Sequence, residues 1–242
     1  MIRTIFIFML LALASKIASP QVNAESRIPL IGENAPAFTA QTTKGILHFP
    51  SDFGKKWKIL MSHPADFTPV CTSEILELAI IQQQFRDLGA ELAVLSTDDI
   101  SLHKSWERSM NELLRSENQP ARLDFPLIDD SNTEISRKYG MLSPTIDMRH
   151  TVRGVFIIDP DNKIESVLFY PPNVGRNMEE LKRTLVALQT SKEHAVLTPV
   201  NWKPGDEVLL PYPYPYNYYD SIKNGDEGYR NLSWYMLFKK LP

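Results

Sequence analysis

The sequence is poor in cysteine, with Cys71 as the only one among 242 residues. A single thiol cannot close an intramolecular disulfide, so we expect the fold to be stabilised by its hydrophobic core alone. A lone cysteine is either a small buried hydrophobic residue or a chemically used thiol, and without its surroundings the first alternative is the more common. The segment around Cys71 therefore has to decide between the two.

The chain also lacks an apolar run long enough to span a bilayer, which takes about 20 residues. Its most apolar stretch covers residues 5–14, between the basic Arg3 and a group of small residues that ends at Ala24. This pattern predicts an export signal that is removed after Ala24, with an uncleaved anchor or a buried N-terminal helix as the alternatives. We therefore expect an exported protein without a membrane span after removal of residues 1–24.

An excess of positive charge is missing as well. The formal net charge is −3, and without residues 1–24 the chain has 24 basic residues against 29 acidic ones, a net charge of −5. An acidic balance gives no general attraction for nucleic acid, so we expect no nucleic acid partner. Four histidines lack the spacing of metal ligands, and we expect no metal site. They are His48, His103, His150 and His194.

Patterns typical of strands and of helices alternate along the chain. Apolar runs predict strands at residues 46–49, 57–61, 91–96, 125–128, 152–158 and 164–170. Repeats of three and four residues predict helices at residues 72–88, 101–115, 133–139 and 178–189. The last two strands flank the turn-forming residues 159–162, which predicts a hairpin. This order indicates an α/β fold with a mixed central sheet and helices on both faces.

The composition changes after Ser191. Residues 211–219 alternate proline with tyrosine, which favours an extended segment docked on the protein's own surface or on a partner subunit. A proline-rich signalling ligand is the alternative, but the flanking arginines that such ligands often need are missing. We therefore divide the chain into a signal of residues 1–24, a domain of residues 25–190 and a C-terminal extension of residues 191–242.

The surroundings of Cys71 favour a chemically used thiol. The segment Pro64-x-x-x-Thr68-x-x-Cys71 resembles the active-site motif of peroxiredoxins, and residues 63–74 resemble the one-cysteine, peroxiredoxin-6-like subgroup of the AhpC/TSA family. The resemblance covers roughly residues 28–210. Its further blocks are residues 125–130, 140–142, 170–177 and 198–206, together with Arg153. It implies a thioredoxin-like fold, a thiol-dependent peroxidase active in antioxidant defence, no bound cofactor, and a homodimer.

Reduction of a peroxide begins with attack by a thiolate on one oxygen, and at an ordinary pKa of about 8.5 only ~3% of a cysteine is ionised at pH 7. Lowering the pKa of a thiol to about 6 gains only about 30-fold, or ~2 kcal/mol. Enzymes usually supply about 8 kcal/mol or more. The larger share of catalysis must therefore come from aligning the peroxide and stabilising charge on the departing oxygen.

The resemblance implies a role for each residue of the motif. Cys71 would attack the peroxide and become a sulfenic acid, Thr68 would bind the peroxide through its hydroxyl, and Pro64 would shield the pocket. Arg153 would hold both the sulfur and the peroxide, because an arginine stays charged and offers several donors in a rigid fork. From the local sequence alone, Thr68 could instead cap the following helix, and Arg153 could be a solvated surface residue.

Three further residues have supporting roles in this hypothesis. Glu74 would orient an arginine, and Arg176 would be a second positive group. His63 resembles the histidine that often precedes the motif proline, although a lone histidine is more often structural. The substrates implied are hydrogen peroxide and alkyl or lipid hydroperoxides. Because the chain has no second cysteine, its sulfenic acid would have to be reduced by an external thiol.

Other functions would need residues that this chain lacks or would not use the Cys71 motif. A general thiol–disulfide oxidoreductase normally needs a Cys-x-x-Cys pair, which is absent. An exported binding or chaperone-like protein that keeps the same scaffold remains the alternative. Some relatives carry a phospholipase A2-type serine, histidine and aspartate, but this chain has Lys56 and Pro50 in place of the first two, and only Asp161 matches. We therefore exclude a lipase activity.

Overall fold

A computed structural model describes residues 27–214 and 228–241 of the chain. The predicted export signal, residues 1–24, lies outside the described residues, and so do residues 215–219 of the tyrosine–proline segment.

A mixed seven-stranded sheet forms the centre of the molecule, with the strand order β2-β1-β5-β4-β3-β8-β9. The pairs β3–β4 and β4–β5 are parallel and the other four pairs are antiparallel. Its strands are β1 (Phe38–Thr42), β2 (Gly45–Phe49), β3 (Trp57–Ser62), β4 (Ala90–Ser96), β5 (Leu127–Asp129), β8 (Arg153–Ile158) and β9 (Ile164–Tyr170). A two-stranded sheet consists of β6 (Leu142–Ser143) and β7 (Asp147–Thr151).

Four helices cover the two faces of the central sheet: α1 (Pro69–Asp87), α2 (Ile100–Ser116), α3 (Glu134–Lys138) and α4 (Met178–His194). Successive residues of a strand point to opposite faces, so Met61 packs with α1, α2 and α4, whereas its neighbour Leu60 packs with α3. The two resulting hydrophobic clusters are the core of the domain. This thioredoxin-like arrangement confirms the predicted α/β fold class.

The helix ends follow the local sequence. Helix α1 begins with Pro69, whose ring fixes the backbone angle that a first helical turn needs. It is followed by Gly89, which has a φ of 69° that a side chain would disfavour. Helix α2 is capped by Asp99, whose carboxylate accepts hydrogen bonds from the backbone N–H groups of Ser101 and Leu102.

Helix α4 is longer than its apolar repeat predicts and ends at His194 instead of residue 189. The division of the chain at residue 190 therefore falls inside this helix. The additional turn makes tertiary contacts, since Lys192 forms ion pairs with Asp159 and Glu165 of the β8–β9 hairpin.

The C-terminal extension contains a small antiparallel sheet with the order β10-β12-β11, which the sequence patterns did not predict. Its strands are β10 (Val208–Leu209), β11 (Tyr229–Ser233) and β12 (Met236–Lys239). Short strands carry little periodicity, which also explains why β1 was missed. This sheet closes a third hydrophobic cluster around Trp202, Val208 and Leu237, into which Ala187 of α4 packs. Within the described ranges, no helix is long and apolar enough to cross a membrane.

Candidate active site

Cys71 is the third residue of α1 and has no exposed surface. Strand β3 ends at Ser62, and residues 63–68 connect it to this helix at the carboxyl edge of the parallel strands, where open α/β sheets commonly bind ligands. The first turn of a helix offers unpaired backbone N–H groups and the positive end of the helix dipole. The local fold therefore places the sulfur where a negative charge is favoured.

Arg153 contacts the sulfur directly. It opens β8, and its Nη1 lies 3.4 Å from the Sγ of Cys71. The same nitrogen donates to Glu74 at 2.7 Å, and the other two guanidinium nitrogens donate to the carbonyl of Pro172 at 3.1 and 2.6 Å. Only 1% of the surface of Arg153 is exposed, so this residue is not the solvated surface residue that its local sequence allowed.

Glu74 joins Arg153 to a second buried arginine. Its carboxylate accepts three bonds of 2.7 to 2.9 Å from Arg176, two from the guanidinium and one from the backbone N–H. The remaining nitrogen of Arg176 donates to the carbonyls of Ser62 and Gly154 at 2.9 and 3.0 Å. Burial lowers the pKa of Arg176 from its ordinary value, whereas the bonds to Glu74 oppose this shift.

These four side chains form what we call the arginine cluster: Cys71, Glu74, Arg153 and Arg176. Two guanidinium groups and one carboxylate sum to one positive charge, which becomes zero when the sulfur is a thiolate. An uncompensated buried charge is costly in a low-dielectric interior. The two guanidinium groups and the one carboxylate therefore leave a net positive charge beside the sulfur.

Thr68 occupies the N-cap position of α1 but does not cap it with its side chain. Its hydroxyl instead donates to the carbonyl of Ala65 at 2.9 Å. The preceding residue, Phe67, has a φ of 55°, a conformation that is unusual for a residue other than glycine. Pro64 is half-buried in the same connection.

His63 belongs to a second buried group, which we call the histidine cluster: His63, Asp66 and His103. The Nδ1 of His103 lies 2.7 Å from Asp66 Oδ2, and its Nε2 lies 3.0 Å from the carbonyl of Ile128, so Nε2 carries a proton. The Nε2 of His63 lies 3.5 Å from Asp66 Oδ1 without the alignment of a hydrogen bond. Sequence reasoning missed the pairing of Asp66 with His103, because 37 residues separate them.

Burial affects the pKa of each member of the histidine cluster. It lowers the pKa of His63 well below the ordinary 6.5, helped by the charges of His103 and the two arginines. It raises the pKa of Asp66. For His103, burial alone would lower the pKa, but the hydrogen bond and the charge of Asp66 outweigh it and raise this pKa. The bond to His103 and its positive charge oppose the effect of burial on the pKa of Asp66, because they stabilise the carboxylate.

The remaining residues considered from the sequence lie elsewhere. Lys56 forms an ion pair with Glu91, and Asp161 forms an exposed ion pair with Lys55 at 2.8 Å, so neither position contributes to the arginine cluster. Within residues 27–214 and 228–241, no three histidine, cysteine, aspartate or glutamate side chains are grouped closely enough to hold a metal ion.

Comparisons with known proteins identify the family of the chain. The AhpC/TSA family matches residues 31–167, and the C-terminal domain of 1-Cys peroxiredoxin matches residues 187–217. The chain is 44% identical over 218 residues to a peroxiredoxin of Methanosarcina mazei, which covers 88% of this chain and 98% of the relative. The chain belongs to the AhpC/TSA family. With its single cysteine, this peroxiredoxin is a thiol-dependent peroxidase whose sulfenic acid is resolved by an external thiol.

Solved structures resemble the peroxiredoxin over most of its length. A yeast mitochondrial 1-Cys peroxiredoxin superposes with a TM-score of 0.78 at 34% identity, covering 88% of this chain and 100% of that one. A mutant of the peroxiredoxin 6 of Arenicola marina superposes with a TM-score of 0.79 at 31% identity, covering 88% and 99%. A further relative, compared by sequence alone, is a peroxiredoxin of Aquifex aeolicus, which is 38% identical over 224 residues and covers 88% of this chain and 98% of the relative.

Proposed function

We propose that the arginine cluster is the peroxidase site and that Cys71 is its nucleophile. The thiolate attacks one peroxide oxygen, the sulfur–oxygen bond forms as the oxygen–oxygen bond breaks, and the departing oxygen takes up a proton and leaves as water or an alcohol. The sulfur is oxidised to a sulfenic acid and the peroxide is reduced. The observation that carries this proposal is the 3.4 Å contact between Arg153 Nη1 and Cys71 Sγ within a buried, positively charged set.

Arg153 is the group that would stabilise the charge developing on the departing oxygen. Glu74 and Pro172 fix its guanidinium, so its donors are oriented before the peroxide arrives and need no reorganisation during the reaction. Thr68 would accept a hydrogen bond from the peroxide, because its own proton is donated to the carbonyl of Ala65, and Pro64 would limit access of water. Arg176 acts through Glu74 as a positioning residue, as its three bonds to that carboxylate support. His63 would line the same site from the histidine cluster.

Resolution by an external thiol requires a change at the first turn of α1. Cys71 has no exposed surface, so the peroxide needs movement of the surrounding side chains to reach the sulfur, and a bulkier thiol needs a wider opening. We propose that oxidation opens this turn and that a small or protein thiol then forms a mixed disulfide. The yeast mitochondrial relative is described with a thiol-resolving mechanism through the glutathione and thioredoxin systems, which supports this class of reductant.

The experiment that tests the site is trapping of the sulfenic acid. Purified protein receives one equivalent of hydrogen peroxide in the presence of a sulfenic-acid-specific reagent, and mass spectrometry follows the adduct. We expect one adduct, on Cys71, and steady peroxide consumption once an external thiol is added. If no adduct formed and all of the peroxide remained, the result would instead favour the exported binding or chaperone-like function.

We also propose that the protein is exported and that residues 1–24 are its signal. The basic Arg3, the apolar residues 5–14 and the small residues up to Ala24 support this. Expression in a secreting host with N-terminal sequencing of the product tests it, and the expected first residue is Glu25. A product that starts at Met1 and stays inside the cell would contradict export.

A homodimer is our proposal for the assembly. It is supported by exposed apolar side chains on the C-terminal extension, which a second copy would cover. They are Tyr212, Leu232, Trp234 and Tyr235, with exposed fractions of 53 to 69%. Sedimentation at increasing concentration should give twice the mass of the chain, and Trp234→Ser should shift the equilibrium toward monomer. A monomer at every concentration would refute this assembly.

A further inference from the structure

A groove on the surface of α2 lies apart from both buried clusters. It encloses about 580 Å³, and α2 turns its buried residues Trp106 and Met110 to the core on the side opposite the groove. The groove is lined by Thr43, Lys104, Glu107, Arg108, Asn111, Arg115, Ala121 and Arg122.

The lining is strongly basic although the whole chain is acidic. Four of its side chains are cationic, and its one acid, Glu107, already pairs with Lys44 at 2.7 Å. Within the described residues, the charged ends of Lys104, Arg108 and Arg122 make no hydrogen bond or ion pair, although the backbone carbonyl of Arg122 accepts from Gln82. Such a concentration of unpaired charge repels itself and adds nothing to folding stability. It is instead suited to an anion.

The spacing of the cations fits an extended anion rather than a single small ion. Lys104, Arg108 and Arg115 follow one side of α2, so at 1.5 Å per residue they lie about 6 and about 10 Å apart along its axis. Arg122 comes from the loop after α2. That loop is fixed to the helix, since Asn111 Oδ1 accepts the backbone N–H of Leu123 at 3.0 Å and Lys44 donates to the carbonyl of Leu123 at 3.1 Å.

The rest of the lining identifies the chemical class of the anion. It includes no aromatic ring on which a nucleic acid base could stack and only one apolar side chain, Ala121, for a lipid chain. Three of the four cations are arginines, whose planar forks match the oxygens of a phosphate group. We propose that this groove binds a linear inorganic polyphosphate that runs along α2, so that phosphates several units apart contact Lys104, Arg108, Arg115 and Arg122.

The test is calorimetric titration of the full-length protein with inorganic polyphosphate, orthophosphate and an oligothymidylate with the same number of phosphates. We expect binding of polyphosphate, no measurable binding of orthophosphate, and weaker binding of the oligothymidylate. The double variant Arg108→Gln/Arg122→Gln should weaken polyphosphate binding about tenfold or more. It should also reduce the slope of log Kd against log salt by about 1.4, since each neutralised phosphate contributes about 0.7 on a single-stranded chain.

A matched control removes the same charge elsewhere. Lys138→Gln/Lys203→Gln changes two exposed lysines outside the groove and should alter the affinity less than about twofold if only groove contacts count. Equal weakening by both double variants would mean a general charge effect and would overturn the site, as would tighter binding of the oligothymidylate or no binding of polyphosphate. Peroxide consumption, measured alongside, should be unchanged in both variants because neither touches the arginine cluster.

Discussion

The arginine cluster and the histidine cluster both bury charged groups beside the start of α1, yet they differ in how completely those groups are bonded. In the arginine cluster, both oxygens of Glu74 and every guanidinium nitrogen of Arg153 and Arg176 have a partner. In the histidine cluster, both ring nitrogens of His63 and one oxygen of Asp66 lack a well-formed hydrogen bond within the described part of the chain.

The difference indicates two kinds of buried polar group around one thiol. A fully bonded network is rigid and fixes the direction of its donors, which suits groups that must stabilise a transition state. A partly bonded network leaves a group whose protonation can change at little structural cost, although each unpaired atom carries a desolvation penalty. We therefore expect substitutions in the first cluster to affect chemistry and folding strongly, and those in the second to affect mainly the pH dependence of stability.

The largest effect is expected for Cys71→Ser. Serine keeps the size of the side chain but is not ionised at neutral pH, so peroxide consumption should fall to the uncatalysed rate. Stopped-flow measurement with hydrogen peroxide checks this, and far-ultraviolet circular dichroism should show the wild-type fold. Residual turnover above a protein-free control would mean that another group attacks the peroxide.

Arg153→Met should come next. Methionine fills the volume but removes the donors aimed at the sulfur and the peroxide, so the second-order rate should fall by about 10² to 10³, as for loss of one oxyanion donor. That exceeds the factor of about 30 that complete loss of thiolate stabilisation would explain. Arg153→Lys keeps the positive charge but loses the planar set of donors, so its second-order rate should lie between those of the wild type and the methionine variant. Near-normal rates in the methionine variant would remove Arg153 from the mechanism.

Glu74→Gln tests whether the arginine cluster depends on charge balance. The amide keeps the shape but leaves two buried guanidinium groups without a carboxylate, so unfolding in urea should show a loss of about 3 to 5 kcal/mol. Asp161→Asn is the matched control, because it makes the same change in an exposed pair with Lys55 and should leave stability unchanged within error. Similar losses in both variants would show that burial of the cluster is not the cause.

The smallest expected effects are on the pH dependence of folding stability, and they have opposite signs for His63 and His103. The raised pKa of His103 means that the folded state binds its proton more tightly, so its contribution to stability is present below pH 6.5 and is lost as pH rises through the raised pKa. The lowered pKa of His63 means that the folded state keeps it neutral, so stability is lost as pH falls below 6.5.

Urea unfolding between about pH 5 and 9 separates the two contributions. His103→Gln should flatten the decline of stability on the alkaline side, whereas His63→Leu should flatten the decline on the acidic side. A change on the same side for both variants, or no change for either, would contradict the comparison between the two clusters.

Much of the fold could be predicted from local patterns. The strands at residues 91–96 and 164–170, the capping of α2 by Asp99 and the stop at Gly89 all depend on residues close in sequence. The patterns missed β1, the sheet of β6 and β7, and the C-terminal sheet, because these short segments have no clear apolar pattern of their own and are strands through pairing with their neighbours. The last turn of α4 was missed because the ion pairs of Lys192 with the β8–β9 hairpin, rather than an apolar repeat, stabilise it.

The site was predictable only as a set of residues. A family resemblance named Cys71, Arg153 and Glu74, but nothing local indicated that one carboxylate would bind two arginines. The pairing of Asp66 with His103 and the meeting of Arg122 with Arg108 in one groove were not predicted at all. These pairs come from different elements, and no spacing rule along the chain relates them.

The sequence by itself determined the order of the elements and the position of a reactive thiol at the start of a helix, because backbone preferences, caps and periodicity act between near neighbours. Only the tertiary structure decided which charges share a buried space. Glu74 meets Arg153 and Arg176 across 79 and 102 residues, and the balance of their charges depends on exclusion of water, which no short segment can achieve alone.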